Sequence, residues 1–112
     1  LSVRAPVGTT GRANKKICLG RGVCSINGEN NDFLYHYFVE NEAYWKRVEQ
    51  GGTFTAISGN DIANMPIFLP SNEEIEKIAF FLNLIDDRIS ATEETLELLF
   101  EMRRSLLQQM FI

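Results

Sequence analysis

The chain has 112 residues, 45% of them apolar and twelve aromatic, enough for one modest core plus an extended element and too much for a disordered chain. It contains no run of 18 apolar residues and does not open on a charged-then-apolar leader, so a cytoplasmic protein is expected, with neither a membrane span nor a secretory signal. The net charge of −4 conceals an asymmetry: residues 1–28 carry five cations and no acid, whereas residues 29–70 sum to −4 and residues 71–112 to −5.

The acid-free opening, "LSVRAPVGTTGRANKKICLGRGVCSING", is rich in glycine and β-branched residues. Val3, Val7, Ile17, Leu19, Val23 and Ile26 predict short strands separated by turns at Gly8, Gly11 and Asn27-Gly28, with a polar loop near 8–16. Its cations Arg4, Arg12, Lys15, Lys16 and Arg21 form either a polyanion footprint or a solvated surface that happens to lack acids. Cys18 and Cys24 read as small reduced core residues; a disulfide or half of a metal site is the other reading, and no second Cys or His pair completes four ligands.

The period then changes. Over "NNDFLYHYFVENEAYWKRVEQGG", Leu34, Phe38, Trp45 and Val48 share a helical face, with Phe33 and Tyr37 beside it. Asn31 is the expected cap and Gly51 the expected stop, and the face weakens at Asn41, which leaves one kinked helix or two short ones. "GGTFTAISGNDIANMPIFL" reads as loop, closing on a strand or extended piece at 66–69. Residues 51–61 within it form either a structural link or a second loop facing a ligand.

The stretch "MPIFLPSNEEIEKIAFFL" marks a hard boundary. Pro70 ends the extended piece, and Ser71 followed three residues later by Glu74 is a capping box. Glu73, Glu74 and Glu76 suit the positive end of a helix dipole. From there a heptad repeat runs without glycine or proline. Position a holds Ile75, Leu82, Ile89, Leu96, Arg103 and Met110; position d holds Ile78, Ile85, Thr92, Leu99 and Leu106. Nine of these eleven are apolar. The pattern predicts one long helix whose stripe needs a second long helix, from another copy or another chain, to cover it. A helical hairpin bent near Asp86-Asp87 is the simplest competitor. Phe80, Phe81, Leu84, Leu98, Phe100, Leu107 and Phe111 lie off the stripe.

The expected architecture is therefore α+β: a small mixed β/α globular part over 1–70, then one long coiled-coil helix over 71–112. No phosphate-loop or HExxH motif occurs, His36 is the sole histidine, and it reads as a half-exposed packing residue. Asp86-Asp87 reads as surface charge. No catalytic residue, metal or cofactor is expected.

The segments "GRGVCSIN", "DFLYHYFVEN", "GGTFTAISGNDIANMPIFLPSNEEIEKIAFFLNLIDDRI" and "LLQQMF" resemble the specificity subunits of type I restriction–modification systems. The likeness covers nearly the whole chain and is to the C-terminal part of one target-recognition domain with its spacer helix. It implies a non-catalytic subunit that reads one half of a split double-stranded DNA target, with methyltransferase subunits clamped around it and a motor-nuclease subunit able to join. It also implies that a complete recognition domain has more chain ahead of Leu1, and that one domain-plus-helix unit is half of a subunit. With one helix per chain, an antiparallel homodimer crossing near Ile89–Thr92 would rebuild the two-helix spacer, Thr92 and Arg103 setting its register. On this reading the basic region faces DNA: Lys15 and Lys16 on phosphates, Arg4, Arg12 and Arg21 on phosphate or guanine, Thr9 and Thr10 on either, two or three of the five cations making real contacts. The competing readings are an assembly module that only dimerises or binds methyltransferase subunits, and an unrelated coiled-coil adaptor with a small β head.

Overall fold

The structure, a computed structural model, describes residues 1–4, 6–50 and 56–111. They contain four helices: α1 (Asn31–Glu40), α2 (Glu42–Gln50), α3 (Gly59–Ala63) and α4 (Asn72–Met110). The chain divides into two compact units, Leu1–Ala79 and Phe80–Ile112.

The expectation of a mixed β/α part is corrected. Among the described residues there is no strand and no sheet; extended segments meet only at two isolated antiparallel bridges, Ser2 with Val23 and Arg4 with Ala56. The reason lies in the spacing of the breakers. Pro6, Gly8, Gly11, Gly20 and Gly22 cut the β-branched residues into pieces too short to build a sheet with one buried face. Ile17, Leu19 and Val23 are all about half exposed, so no apolar face forms there. Cys18, expected in the core, is exposed, and Cys24 is only partly buried; both are free thiols.

The core of the first unit is built instead by α1 and α2 against irregular segments. Val7, Phe38, Trp45, Ile57 and Met65 form one buried cluster, with Leu34, Tyr37, Ile62 and Ile67 packed on it. The expected apolar face is thus real, although the Val48 side chain and the expected stop at Gly51 lie outside the described residues. The break falls at Asn41, whose amide side chain and backbone N–H both reach the Tyr37 carbonyl, at 2.7 and 3.1 Å. That closes α1 and lets α2 start afresh. The cap of α1 is Asn30 rather than Asn31: Asn30 Oδ1 accepts from Phe33 N at 2.9 Å. α3 falls where a loop was expected, started by a capping box between Ser58 and Asp61.

Among the described residues Gly8 is the one glycine that adopts a left-handed conformation, with φ of 87°. A Cβ there would lie 2.5 Å from Trp45 Cβ, inside the core. Strain and overlap act together, so Gly8→Ala should destabilise the first unit by about 2–4 kcal/mol. Trp45 is the single tryptophan, so denaturant unfolding followed by its fluorescence reads this directly. Among the described residues its indole N–H finds no acceptor.

α4 is helical for 39 residues, about 58 Å at 1.5 Å per residue. It runs unbroken through Asp86-Asp87, which removes the hairpin alternative. Its start is as the sequence predicts: Glu74 Oε2 accepts from Ser71 N at 3.0 Å and from Ser71 Oγ at 2.9 Å. The Ser71 hydroxyl, then its backbone N–H, hold the Glu74 carboxyl below its ordinary value of 4.5. A lowered carboxyl stabilises the fold above the unfolded value and loses that effect as pH falls through the folded one. The difference in thermal stability between the native chain and Glu74→Gln should therefore be full above pH 4.5 and shrink on acidification below it. A gap independent of pH would show that the ionised cap contributes nothing.

Among the described residues no helix is long and apolar enough to cross a membrane.

Candidate nucleic-acid interface

The cationic loop is fastened at its start by a single serine. Ser2 N donates to Thr9 O and Ser2 O accepts from Gly8 N, both at 2.9 Å. Its hydroxyl accepts from Thr9 N at 3.0 Å and donates to Pro6 O. Gly8 then passes against Trp45, and Thr10 N donates to Glu42 Oε1 in the first turn of α2 at 2.9 Å. Thr9 is exposed and Thr10 partly buried.

Arg12 comes next and is not a free cation. Its guanidinium lies 3.3 Å from Asp32 Oδ1 and stacks over the Tyr35 ring at 4.1 Å from the centroid. It also sits 3.2 Å from His36 Nε2. A guanidinium has no acceptor, so it is the donor in that bond and Nε2 supplies the lone pair. Asp32, Tyr35 and His36 are spaced i, i+3 and i+4, one face of α1. The Arg12 and Asp32 side chains are 40% and 50% exposed, so the ion pair alone is worth well under 1 kcal/mol. Only with the stacking and the imidazole bond does the set reach about 1–2 kcal/mol.

Beyond Arg12 the chain is bare. Residues 11–21 are all exposed, and among the described residues 13–19 make no hydrogen bond or ion pair. The chain is caught again where Val23 N donates to Gly20 O at 3.3 Å and Val3 N to Gly22 O at 2.9 Å. Lys15, Lys16 and Arg21 project from this span with no acid paired to them among the described residues. Arg4 is exposed too, its stem passing about 4 Å from where a Gly22 Cβ would be. The structure therefore brings Arg4, Lys15, Lys16 and Arg21 to open surface and draws Arg12 and the Thr10 amide onto α1 and α2.

Asp32, Tyr35, His36 and Glu42 are partners that the sequence reading passed over. The i, i+3, i+4 spacing of the first three was visible; that Arg12 would land on it was not. The acid-free stretch is acid-free only along the chain, since folding places Asp32 and Glu42 beside residues 10–12. Within 51–61, the alternative second ligand-facing loop, Ile57 is buried with its N–H donating to Val3 O, Ser58 caps α3, and residues 58–61 are exposed. Residues 51–55 lie outside the described residues. Among the described residues no group of His, Cys, Asp and Glu is arranged to hold a metal ion.

The second surface is the stripe of α4. Ala79, beside the stripe, is the one buried residue of α4. Ile75 and Leu82 are partly buried; Ile78, Ile85, Ile89, Leu96, Leu99, Leu106 and Met110 are exposed, as are Thr92 and Arg103. Thr92 Oγ1 donates to Arg88 O at 2.7 Å, so its hydroxyl is satisfied inside its own helix.

The family model for the type I restriction modification DNA specificity domain matches residues 1–99. Two proteins of Methanocaldococcus jannaschii are similar. The putative type I restriction enzyme MjaX specificity subunit is 37% identical over 93 residues, 80% of this chain and 22% of its own length. The type I restriction enzyme MjaIX specificity subunit is 30% identical over 117 aligned residues, 100% of this chain and 27% of its own length. The chain thus spans about a quarter of the length of these curated relatives. No solved structure matches it.

Proposed function

Because this chain belongs to the type I restriction–modification DNA specificity family, we propose that it is a non-catalytic DNA-recognition unit. On this reading residues 1–70 face the target, and residues 71–112 form a spacer that pairs with a second copy and docks methyltransferase subunits in the cytoplasm. A motor-nuclease subunit joins through them. The observation that carries the reading is the apolar stripe of α4, whose Ile78, Ile85, Ile89, Leu96, Leu99, Leu106 and Met110 are exposed. A lone helix of that kind is a poor structure in water; a paired one is stable.

An antiparallel pair fits the residues better than a parallel one. In a parallel in-register pair Arg103 would face Arg103. With the crossing at Ile89–Thr92, Arg103 instead lies across from Ile78, within a turn of Glu74 and Glu76 of the other copy, and opposite charges at such a position favour the pairing. Since Thr92 satisfies its own hydroxyl, Arg103 is the stronger register device.

DNA contact on this reading belongs to Lys15, Lys16, Arg21 and Arg4, with Thr9 and Thr10 at the margin. A mobility-shift titration against random duplex DNA, with and without a methyltransferase subunit, tests it. Binding that strengthens with the methyltransferase supports the reading. Dimerisation and methyltransferase capture with no DNA shift would leave an assembly module in its place.

A further inference from the structure

The contacts of Arg12 point to a different use for it. Four observations bear on this. Its guanidinium is engaged by three residues on one face of α1, Asp32, Tyr35 and His36. Two residues earlier, the Thr10 amide is tied to Glu42 of α2. Immediately after it, residues 13–19 make no hydrogen bond or ion pair among the described residues. Their next attachment is at Gly20–Val23. Arg12 thus stands as the entry post of a suspended span, and Lys15 and Lys16 follow it by three and four residues.

We infer that Arg12 is a positioning residue: α1 clamps its guanidinium so that the chain leaves it from a fixed point and presents Lys15 and Lys16 to a nucleic-acid backbone, which Arg12 itself does not grip. The inference rests on the DNA reading for its purpose, but the clamp exists or fails independently of DNA. A direct phosphate contact would need only the positive charge. A clamp needs the planar fork, which stacks on Tyr35 while one terminal nitrogen meets Asp32 and the other His36; a lysine has neither the plane nor a second nitrogen, its donors all radiating from one atom.

The test uses the full chain and four variants: Arg12→Lys, Arg12→Gln, Asp32→Asn and the Arg12→Gln/Asp32→Asn double. Two measurements are made on each: hydrogen exchange of the Thr10 amide, which donates to Glu42 two residues before Arg12, and affinity for a duplex across a salt series. With the clamp, Arg12→Lys and Arg12→Gln both speed exchange by about tenfold. Asp32→Asn does so by less, and the double variant is no faster than Arg12→Gln, because one contact set is lost only once. Duplex affinity falls roughly three- to tenfold in both Arg12 variants, since the span must now be ordered on binding, while the salt slope stays as in the native chain. Native exchange rates in both Arg12 variants would overturn the clamp. So would a normal Arg12→Lys beside an Arg12→Gln whose salt slope drops by about one, the signature of a direct phosphate contact. If no form of the chain binds DNA, the exchange data still decide the clamp, and the DNA reading alone is lost.

Discussion

The chain is expected to run as a dimer at micromolar concentration, and Leu96→Glu with Leu99→Glu is expected to make it a monomer with its first unit intact. About a crossing at Ile89–Thr92, Leu96 of one copy lies across from Ile85 of the other, and Leu99 from Leu82. The two substitutions therefore place four charges at the centre of the paired stripe. Burying an unpaired carboxylate costs several kcal/mol beyond the lost apolar contact, so the association constant should fall on the order of a thousandfold or more. Light scattering reads the mass, and the fluorescence of Trp45, in the other unit, reports that the fold survives. Orientation is tested separately with Cys18 and Cys24 replaced by serine. Thr92→Cys should then cross-link to itself under oxidation, because that position lies across from Ile89 and its two copies are only about 4.5 Å apart along the axis. Leu106→Cys should not, since an antiparallel pair sets its two copies about 46 Å apart along the axis. Rapid self-linking through position 106 would mean a parallel pair, and a native chain that is monomeric at micromolar concentration would remove the spacer from the proposed function.

How much of this was legible in the sequence follows from which interactions are local. α4 was, because its capping box and its heptads are both short-range patterns: Ser71 and Glu74 are three residues apart, and every member of the stripe is set by the one before it. The α1–α2 face was also legible, and Phe33, Phe38 and Trp45 are buried as expected. The missed α3 has only five residues, but its Ser58–Asp61 box has the spacing found at Ser71–Glu74, and an aspartate there does the work of the usual glutamate. The expected β region failed for a different reason. The segments around Val3, Val23 and Ile57 do come together through Val3 N to Gly22 O, Cys24 N to Leu1 O and Ile57 N to Val3 O, so the contacts that β propensity hints at are present. They do not extend into a ladder, because propensity counts residues whereas a sheet needs uninterrupted runs. The partners of Arg12 were illegible for the most general reason. They lie 20 to 24 residues away, and no local pattern tells a cation which helix face it will meet.

That distinction decides which cations to test for DNA contact, and the expected effect is large. Lys15→Glu with Lys16→Glu should weaken duplex binding on the order of a hundredfold at moderate salt. It should also flatten the dependence of log K on log salt by about 1.8, since each phosphate neutralised on B-DNA contributes about 0.9 to the slope. Adding Arg21→Glu should flatten it further by a similar step if Arg21 lies on phosphate. If Arg21 instead reads a guanine edge, the slope should change little and discrimination among duplexes should fall. The physical ground is that a phosphate contact must displace whatever a cation already holds. Lys15, Lys16 and Arg21 hold nothing among the described residues, whereas Arg12 would have to leave Asp32, Tyr35 and His36. The stability of the first unit should not respond to the lysine changes, because both side chains are exposed and outside the core. Lost binding accompanied by lost Trp45 burial would therefore mean unfolding rather than a removed contact. An unchanged salt slope in the double lysine variant would show that DNA, if bound at all, is gripped elsewhere on the chain.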